Sequence, residues 1–588
     1  SGAMAVRSQS IHTNLTSEDW RPVNVGGEDG NVAPNPLEPG HIFGGSDTVT
    51  YEDFDTGSDQ NIDPTIKFPD KVWRHTWTLP LVVSPLDKHA LYTSRQQIFR
   101  SRDEGKSWTI VSPDLTRGGD ENHPATLDPA TIADSGGLAR RGVVYAIAPS
   151  SLRANLLWAG TDDGFVWKTE DGGVRWINVT PPQLSAWSKV GIIEASHFDR
   201  ARAYIAVDRH RLDDYKPYIY RTANGGKTWT AIADGIPDGS FVNAVREDPK
   251  TAGLLYAATE RGMYVSFDDG THWQSLQRNL PLTSVRDIDV HGDDLVIATH
   301  GRAFWIMDDI TPLRQMQHAN ASAYLFAPQL TYRVRRAGGG GFNNLSDEGT
   351  PIQLDEPQAP NSPAGLIVDY NLREAASTPV VLEIADGGGH VVRSYSSADH
   401  PHLTDPATVD ISPPWITREP VVSAEPGAHR FVWDFHAKSP DGPMTPPGTY
   451  IVRLHVNGST YAQTATIVRD PRVRATDSDL RAQYDFASAI EAKLAQIESA
   501  QRRAKSLKLT NAQRETLIAA SRVPDPDDSV GKPPQDFVSL NYLANAYGNL
   551  EAAVESDDGA PTADMRSGFA KLNATLARTI QKLNTING

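Results

Sequence analysis

The chain has 588 residues, no cysteine, and a formal net charge of −17 from 56 basic and 73 acidic side chains. The absence of cysteine excludes disulfides, thiolate metal sites and cysteine nucleophiles. The acidic balance argues against nucleic-acid backbones and anionic membranes, which need clustered positive charge, so a neutral or cationic partner fits better. The length calls for three or four domains, and no apolar run reaches the roughly eighteen residues a membrane helix requires.

Ser1-Gly2-Ala3-Met4 reads as a tag-cleavage remnant, so a native start and a signal peptide are expected upstream. Residues 20–54 look like a degenerate first repeat of a unit that recurs later. Within and beyond it, DFDTGSDQNID (53–63) spaces Asp53, Asp55, Asp59 and Asp63 like the oxygen ligands of a calcium loop, although the glycine and final glutamate of an EF-hand are missing. A solvated acidic loop is the other reading, and no other cofactor is expected.

Four short segments then share one pattern, Ser/Thr-x-Asp/Asn-x-Gly-x-x-Trp: SRDEGKSW (101–108), TEDGGVRW (169–176), TANGGKTW (222–229) and SFDDGTHW (266–273). Upstream of each comes the same phrase of short apolar strands and polar turns, as in 79–101, 144–169, 192–222 and 244–266. A further unit, 288–310, keeps the strands but lacks the motif. Repeats at this period indicate radially arranged antiparallel sheets, a β-propeller of about six or seven blades. In each motif the Asp or Asn (Asp103, Asp171, Asn224, Asp268) is expected to cap turn amides and the Gly to supply positive φ. The Trp (Trp108, Trp176, Trp229, Trp273) is expected to pack between sheets. The motif thus has a structural role and does not name a reaction. An insertion at 115–142 reads as either a lid or a floppy loop.

Beyond the propeller, assigned to 1–335, a Gly/Asn/Pro-rich linker (336–362) leads to alternating strands over 363–471, with Asn457-Gly458 as a hairpin turn. This pattern predicts an immunoglobulin-like β-sandwich. From 472 to 588 the period changes to that of an α-helical bundle. A capping box at Thr476–Asp479 precedes the stripe Leu480, Tyr484, Ala487, Ile490, Leu494 and Ile497. A second box, Thr510 with Gln513, opens a shorter helix, a Pro-rich break runs from Pro524 to Pro534, and amphipathic segments cover 535–555 and 563–586. A partner-helix role for this tail is the alternative to a closed bundle.

The four motifs resemble the Asp-box repeats of bacterial sialidases, xyloglucan-hydrolysing propellers and sortilin-type receptors. Longer phrases, GTDDGFVWKTEDGG (160–173), IIEASHFD (192–199), DRHRLDDYKPYIYRT (208–222), ATHGRAFWIMDDITPL (298–313) and PPGTYIVRLHVNG (446–458), resemble the carboxyl-terminal portion of exported bacterial sortilin-like, glycosyl-hydrolase-like BNR-repeat proteins. That resemblance implies a secreted or periplasmic protein that handles glycans, with an amino-terminal propeller half missing from this chain. Its sialidase relatives carry an Arg-Ile-Pro phrase that does not occur here, and neither catalytic Asp of the xyloglucan hydrolases finds a match.

In propellers the ligand face is built by turns between the second and third strands and by links to the next inner strand. Those turns select Asp162, Asp163 and Glu260 as candidate catalytic carboxylates, with Glu194 and the pair Asp213/Asp214 as further carboxyl sources, since glycoside hydrolysis needs two with one kept protonated. They also select Asp208, His210, Arg211, Asp213, Asp214, Tyr215, Arg261, His300 and Arg302 as ligand-binding residues; DRHRLDDY (208–215) is the densest polar cluster. The bland reading of the same residues is turn chemistry and salt bridges between blades. Two functions stay open: glycan binding or hydrolysis at the propeller face, or a non-catalytic sortilin-like scaffold for peptides or proteins. No metal is expected in the site, and no zinc-protease, phosphate-loop or serine-hydrolase motif occurs.

Overall fold

In a computed structural model of the chain, residues 3–10, 14–27, 30–46, 48–76, 78–117, 142–319, 321–335, 358–400, 420–440, 442–506 and 539–585 are described. The insertion over 118–141, most of the linker, the Thr510 box and the Pro-rich break lie outside them. The rest divides into two compact units, one covering Leu15–Gln317 in the main and the other mainly Pro360 onward.

The first unit is a β-propeller. Five four-stranded antiparallel sheets and one three-stranded sheet follow one another in chain order, each meandering from its first strand outward. The first strands are Asn31–Pro34, Leu81–Val83, Val144–Pro149, Lys189–Ala195, Val242–Glu247 and Ser284–His291. Second strands such as Ala203–Asp208 and Leu255–Thr259 are buried along their whole length, because neighbouring sheets cover both faces. Small residues permit that approach: a Cβ on Gly160 would stand 2.4 Å from Val190 Cγ1 of the next sheet. Near the start of the chain, Trp20 stacks on Phe304 of the sixth sheet with ring centroids 6.0 Å apart.

The four Trp-ending motifs occupy the turn between third and fourth strands, and each repeats one hydrogen-bond set. In the fourth sheet Gly226 N–H donates to Thr222 Oγ1 (2.9 Å), Thr228 N–H donates to Asn224 Oδ1 (2.9 Å), and Trp229 Nε1 donates to the Val179 carbonyl of the preceding sheet (2.7 Å). Trp108, Trp176 and Trp273 make the same bond to Ile62, Val111 and Ile232. The glycines sit against those acceptor residues: Gly226 has φ +84°, and a Cβ there would fall 2.6 Å from Val179 Cβ. At Gly270, also at φ +84°, it would fall 2.4 Å from Ile232 Cδ1. The motif is a staple between consecutive sheets, formed from a capped turn, a left-handed glycine and a buried indole.

The first sheet carries DFDTGSDQ at the same turn. Asp53 accepts the amides of Asp55 (2.9 Å) and Thr56 (3.3 Å), while Asp63 accepts Val49 N–H and pairs with Arg95 at 2.8 Å, both side chains 3% exposed. These carboxylates serve turns and a buried ion pair. Among the described residues no group of three His, Cys, Asp or Glu is placed to hold a metal ion.

The second unit contains a three-stranded sheet (Ala323–Leu325, Leu366–Leu372, Gly427–Trp433) and a five-stranded one running Thr331–Arg333, Ser459–Arg469, Gly448–Val456, Val381–Asp386, Val391–Ser396. They share a core that includes Leu366, Val368, Trp433, Tyr450, Val452 and Ile467. Asn457 and Gly458, at φ +49° and +81°, make the hairpin turn expected of that dipeptide. The strands Ala323–Leu325 and Thr331–Arg333 pair into these sheets, so the chain leaves the propeller earlier than the boundary at 335 read from the sequence. They escape notice because each has only three residues.

Helices Asp477–Ser506, Leu540–Glu555 and Ala563–Thr585 pack around Ile490, Ile497, Leu543, Tyr547, Leu576 and Leu583. Arg333, 1% exposed, ties their connection to the sheets through Asp558 at 2.6 Å. No helix of the described residues is long and apolar enough to cross a membrane.

Candidate functional site

The first strands of all six propeller sheets line one central cavity of about 880 Å³. Four consecutive ones carry a β-bulge near their start, and the residues skipped in the register are Tyr145, Gly191, Asn243 and Arg286. A bulge re-aims a side chain that regular pairing would hold in alternation. All four bulged residues line the cavity, three with polar side chains, at the end where the second strands also finish.

At that mouth Asp208, the last residue of its strand, accepts His210 N–H (2.9 Å) and His210 Nδ1–H (2.6 Å), and the imidazole stacks on Phe241. Burial by itself would raise the Asp208 carboxyl, but the His210 bond and the Lys189 charge outweigh it and hold the carboxyl below its ordinary value. Lys189 Nζ stands 4.0 Å over the Tyr145 ring. Arg286 reaches His300 Nδ1 at 3.3 Å and Glu260 at 3.8 Å, while Glu260 accepts the Ser284 hydroxyl at 2.6 Å.

Deeper in the cavity runs a charged ladder. Arg246 bridges Glu194 (3.5 Å) and Asp287 of the next sheet (2.9 Å), and Glu194 also pairs with His197 Nε2 (3.1 Å). Glu247 accepts His197 N–H at 2.8 Å, and Asp289 completes the acidic lining. The Glu194 hydrogen bond raises His197 above its ordinary value of 6.5 despite the opposing effect of burial. A raised folded-state value means the stabilisation is complete below about pH 6.5 and fades as pH rises through the folded value. His197→Gln is therefore expected to flatten the loss of stability between neutral and mildly alkaline pH, read from urea midpoints across that range.

Of the residues singled out in the sequence, Asp208, His300 and Glu194 line the cavity and Glu260 borders it through Arg286. Asp162 accepts the amides of Gly142 and Val143 at 3.1 and 2.8 Å. Asp163 has no exposed surface; it accepts Thr161 Oγ1–H (2.5 Å) and Arg117 N–H (2.7 Å), and burial pushes its carboxyl up. Neither Asp162 nor Asp163 faces the cavity. Asp213 ends a short 3₁₀ turn at φ +58°, Asp214 accepts the Tyr218 hydroxyl at 2.8 Å, Arg211 is exposed, and Tyr215 is half-exposed beside Phe241. The amides of Arg261 and Arg302 donate to Thr259 and Thr299, closing their own turns.

Sequence reasoning missed Tyr145, Lys189, Asn243, Arg246 and Arg286. Their signal was faint but present: charged and amide residues inside first strands, as in VNAVRE and SVRDIDVH, where a strand covered on both faces would be apolar.

No family model matches the chain. It is similar to a xyloglucanase of Hypocrea jecorina (strain QM6a), 23% identical over 291 residues that cover 43% of this chain and 31% of the enzyme. The match thus spans about a third of that relative's length. Among solved structures, a GH74 xyloglucanase from Xanthomonas campestris is 15% identical with a TM-score of 0.37, each chain covered to 77%. YCF48 bound to D1 peptide is 13% identical with a TM-score of 0.33, covering 50% of this chain and 84% of that one. The chain is a β-propeller protein with a glycosyl-hydrolase-like relative.

Proposed function

We propose that the first unit is a six-bladed Asp-box propeller of an exported protein, and that it binds a polysaccharide segment at the mouth of its central channel. The observation that carries this reading is the convergence of Tyr145, Lys189, Asp208, Asn243, Arg286 and His300, from four different sheets, on one end of the cavity. Such a ring of donors and acceptors suits a hydroxyl-rich ligand. The partial likeness to a xyloglucanase supports the sugar class.

Binding is favoured over hydrolysis by the state of the carboxyls. A glycoside hydrolase needs one carboxyl kept protonated beside its substrate. Asp208 is held low, and Asp163, which burial pushes up, is fully buried away from the cavity. Hydrolysis would need an acid other than these two. In the second unit we assign 363–471 to an immunoglobulin-like sandwich and 472–588 to a helical bundle.

A glycan-array screen paired with reducing-sugar release on the same polysaccharides tests this. Binding without release is expected, and Asp208→Ala should weaken it about tenfold, as one charged hydrogen bond is worth ~1.4 kcal/mol or more. Release of reducing ends by this chain would overturn the binding-only reading, and no binding to any glycan would overturn the site.

A further inference from the structure

Charge accounting at the mouth points to a specific class of sugar. The carboxylates there have partners of their own: Asp208 accepts two bonds from His210 on one oxygen, which leaves the second for a sugar hydroxyl, and Glu260 takes the Ser284 hydroxyl at 2.6 Å. The cations do not. Lys189 is half-buried and makes no close ion pair among the described residues; its ammonium rests over the Tyr145 ring at 4.0 Å and acts on Asp208 through its charge alone. Arg286 is half-exposed and stands 3.8 Å from Glu260, whereas Arg95–Asp63, Arg246–Asp287 and Arg314–Asp248 close to 2.8, 2.9 and 2.9 Å. A guanidinium so loosely held keeps its planar fork for another carboxylate, and a lysine adds a point charge that needs no fixed geometry.

We infer that the ligand carries a carboxylate, a uronic-acid residue of an acidic polysaccharide, held between Lys189 of the fourth sheet and Arg286 of the sixth. The inference rests on the glycan-binding reading above. Between the two cations, on the fifth sheet, Asn243 donates its amide to the Val285 carbonyl at 2.8 Å, which leaves the amide oxygen to accept from a sugar hydroxyl. The Tyr145 hydroxyl stands ready on the third sheet as donor and acceptor. Deeper in the channel Glu194, Glu247, Asp287 and Asp289 would repel an anion, so the carboxylate stays at the mouth. The chain's net charge of −17 does not forbid this. Distant charges are screened beyond about 8 Å at physiological salt, and the clamp acts at contact. The bulk charge, which favoured a neutral or cationic partner, does not describe the mouth.

Titration calorimetry with tri-galacturonic acid and with its fully methyl-esterified form tests the clamp, because esterification removes the charges and keeps the sugar chain. The acid is expected to bind at least tenfold more tightly, with an advantage that shrinks as salt is raised. Lys189→Met and Arg286→Gln should each bring the acid toward the ester's affinity, the acid losing more than the ester does. Equal affinity for acid and ester would overturn the inference while the glycan site stands. So would variants that fold normally and keep the acid's advantage. Failure of both saccharides and of neutral oligosaccharides, with binding instead of a short peptide through its terminal carboxylate, would overturn the inference and the glycan reading together.

Discussion

Trp229→Ala is expected to destabilise the propeller unit by about 3–5 kcal/mol, the range for truncating a large buried aromatic. The indole is 7% exposed, lies edge-on to Trp158 at 6.2 Å between centroids, and donates to the Val179 carbonyl at 2.7 Å. The substitution opens a cavity between the third and fourth sheets and leaves that carbonyl without its donor. Trp108 and Trp273 are as deeply placed and should behave alike, whereas Trp176 is only half-buried and should cost less. Urea unfolding followed by hydrogen-exchange protection of the inner strands isolates this unit from the second. A midpoint for Trp229→Ala that matches the parent would show that the staples do not carry the ring.

Arg314→Met is expected to cost a similar amount, about 3–5 kcal/mol, because it strands a buried charge. Asp248 has no exposed surface, and Arg314 Nε meets its two oxygens at 3.0 and 2.9 Å. The same guanidinium also bonds Asp293 and the Gly292 carbonyl, which fixes the helix Thr311–Gln315 against the fifth and sixth sheets. Asp248 would keep the amides of Lys250 and Thr251 and the Tyr256 hydroxyl, but no countercharge. The expected fall in thermal midpoint is roughly 10 °C for a unit of this size. Adding Asp248→Asn to Arg314→Met should recover part of the loss. A double variant less stable than the single one would place the cost in packing and not in charge.

The propeller was legible in the sequence because each fixed position of the Trp-ending motif performs one local task. Thr222, Asn224, Gly226 and Trp229 are four residues in one turn, and their bonds reach only the turn itself and the strand end of the sheet before it. The mouth of the cavity was legible only at Asp208 and His300, which end their strands at polar turns where a reader looks for function. Lys189, Asn243 and Arg286 sit inside strands, separated in sequence by about fifty residues from one to the next. What gathers them is the closure of the ring and the repeated bulge, and a bulge leaves no mark in composition. Asp162 and Asp163 misled for the opposite reason: an Asp-Asp-Gly turn has the look of a paired-carboxylate site, yet both side chains are consumed by backbone amides and a threonine.

The most direct measurement is hydrogen–deuterium exchange of the whole chain with and without a saturating bound oligosaccharide from the glycan screen. Protection is expected at the strand starts 144–146, 189–191, 242–244 and 284–286 and in the turns 208–216 and 299–303. The Trp-ending turns 101–108, 169–176, 222–229 and 266–273 at the opposite end of the sheets should be unchanged. Protection confined to those turns, or to the second unit, would contradict a ligand site at the mouth of the channel.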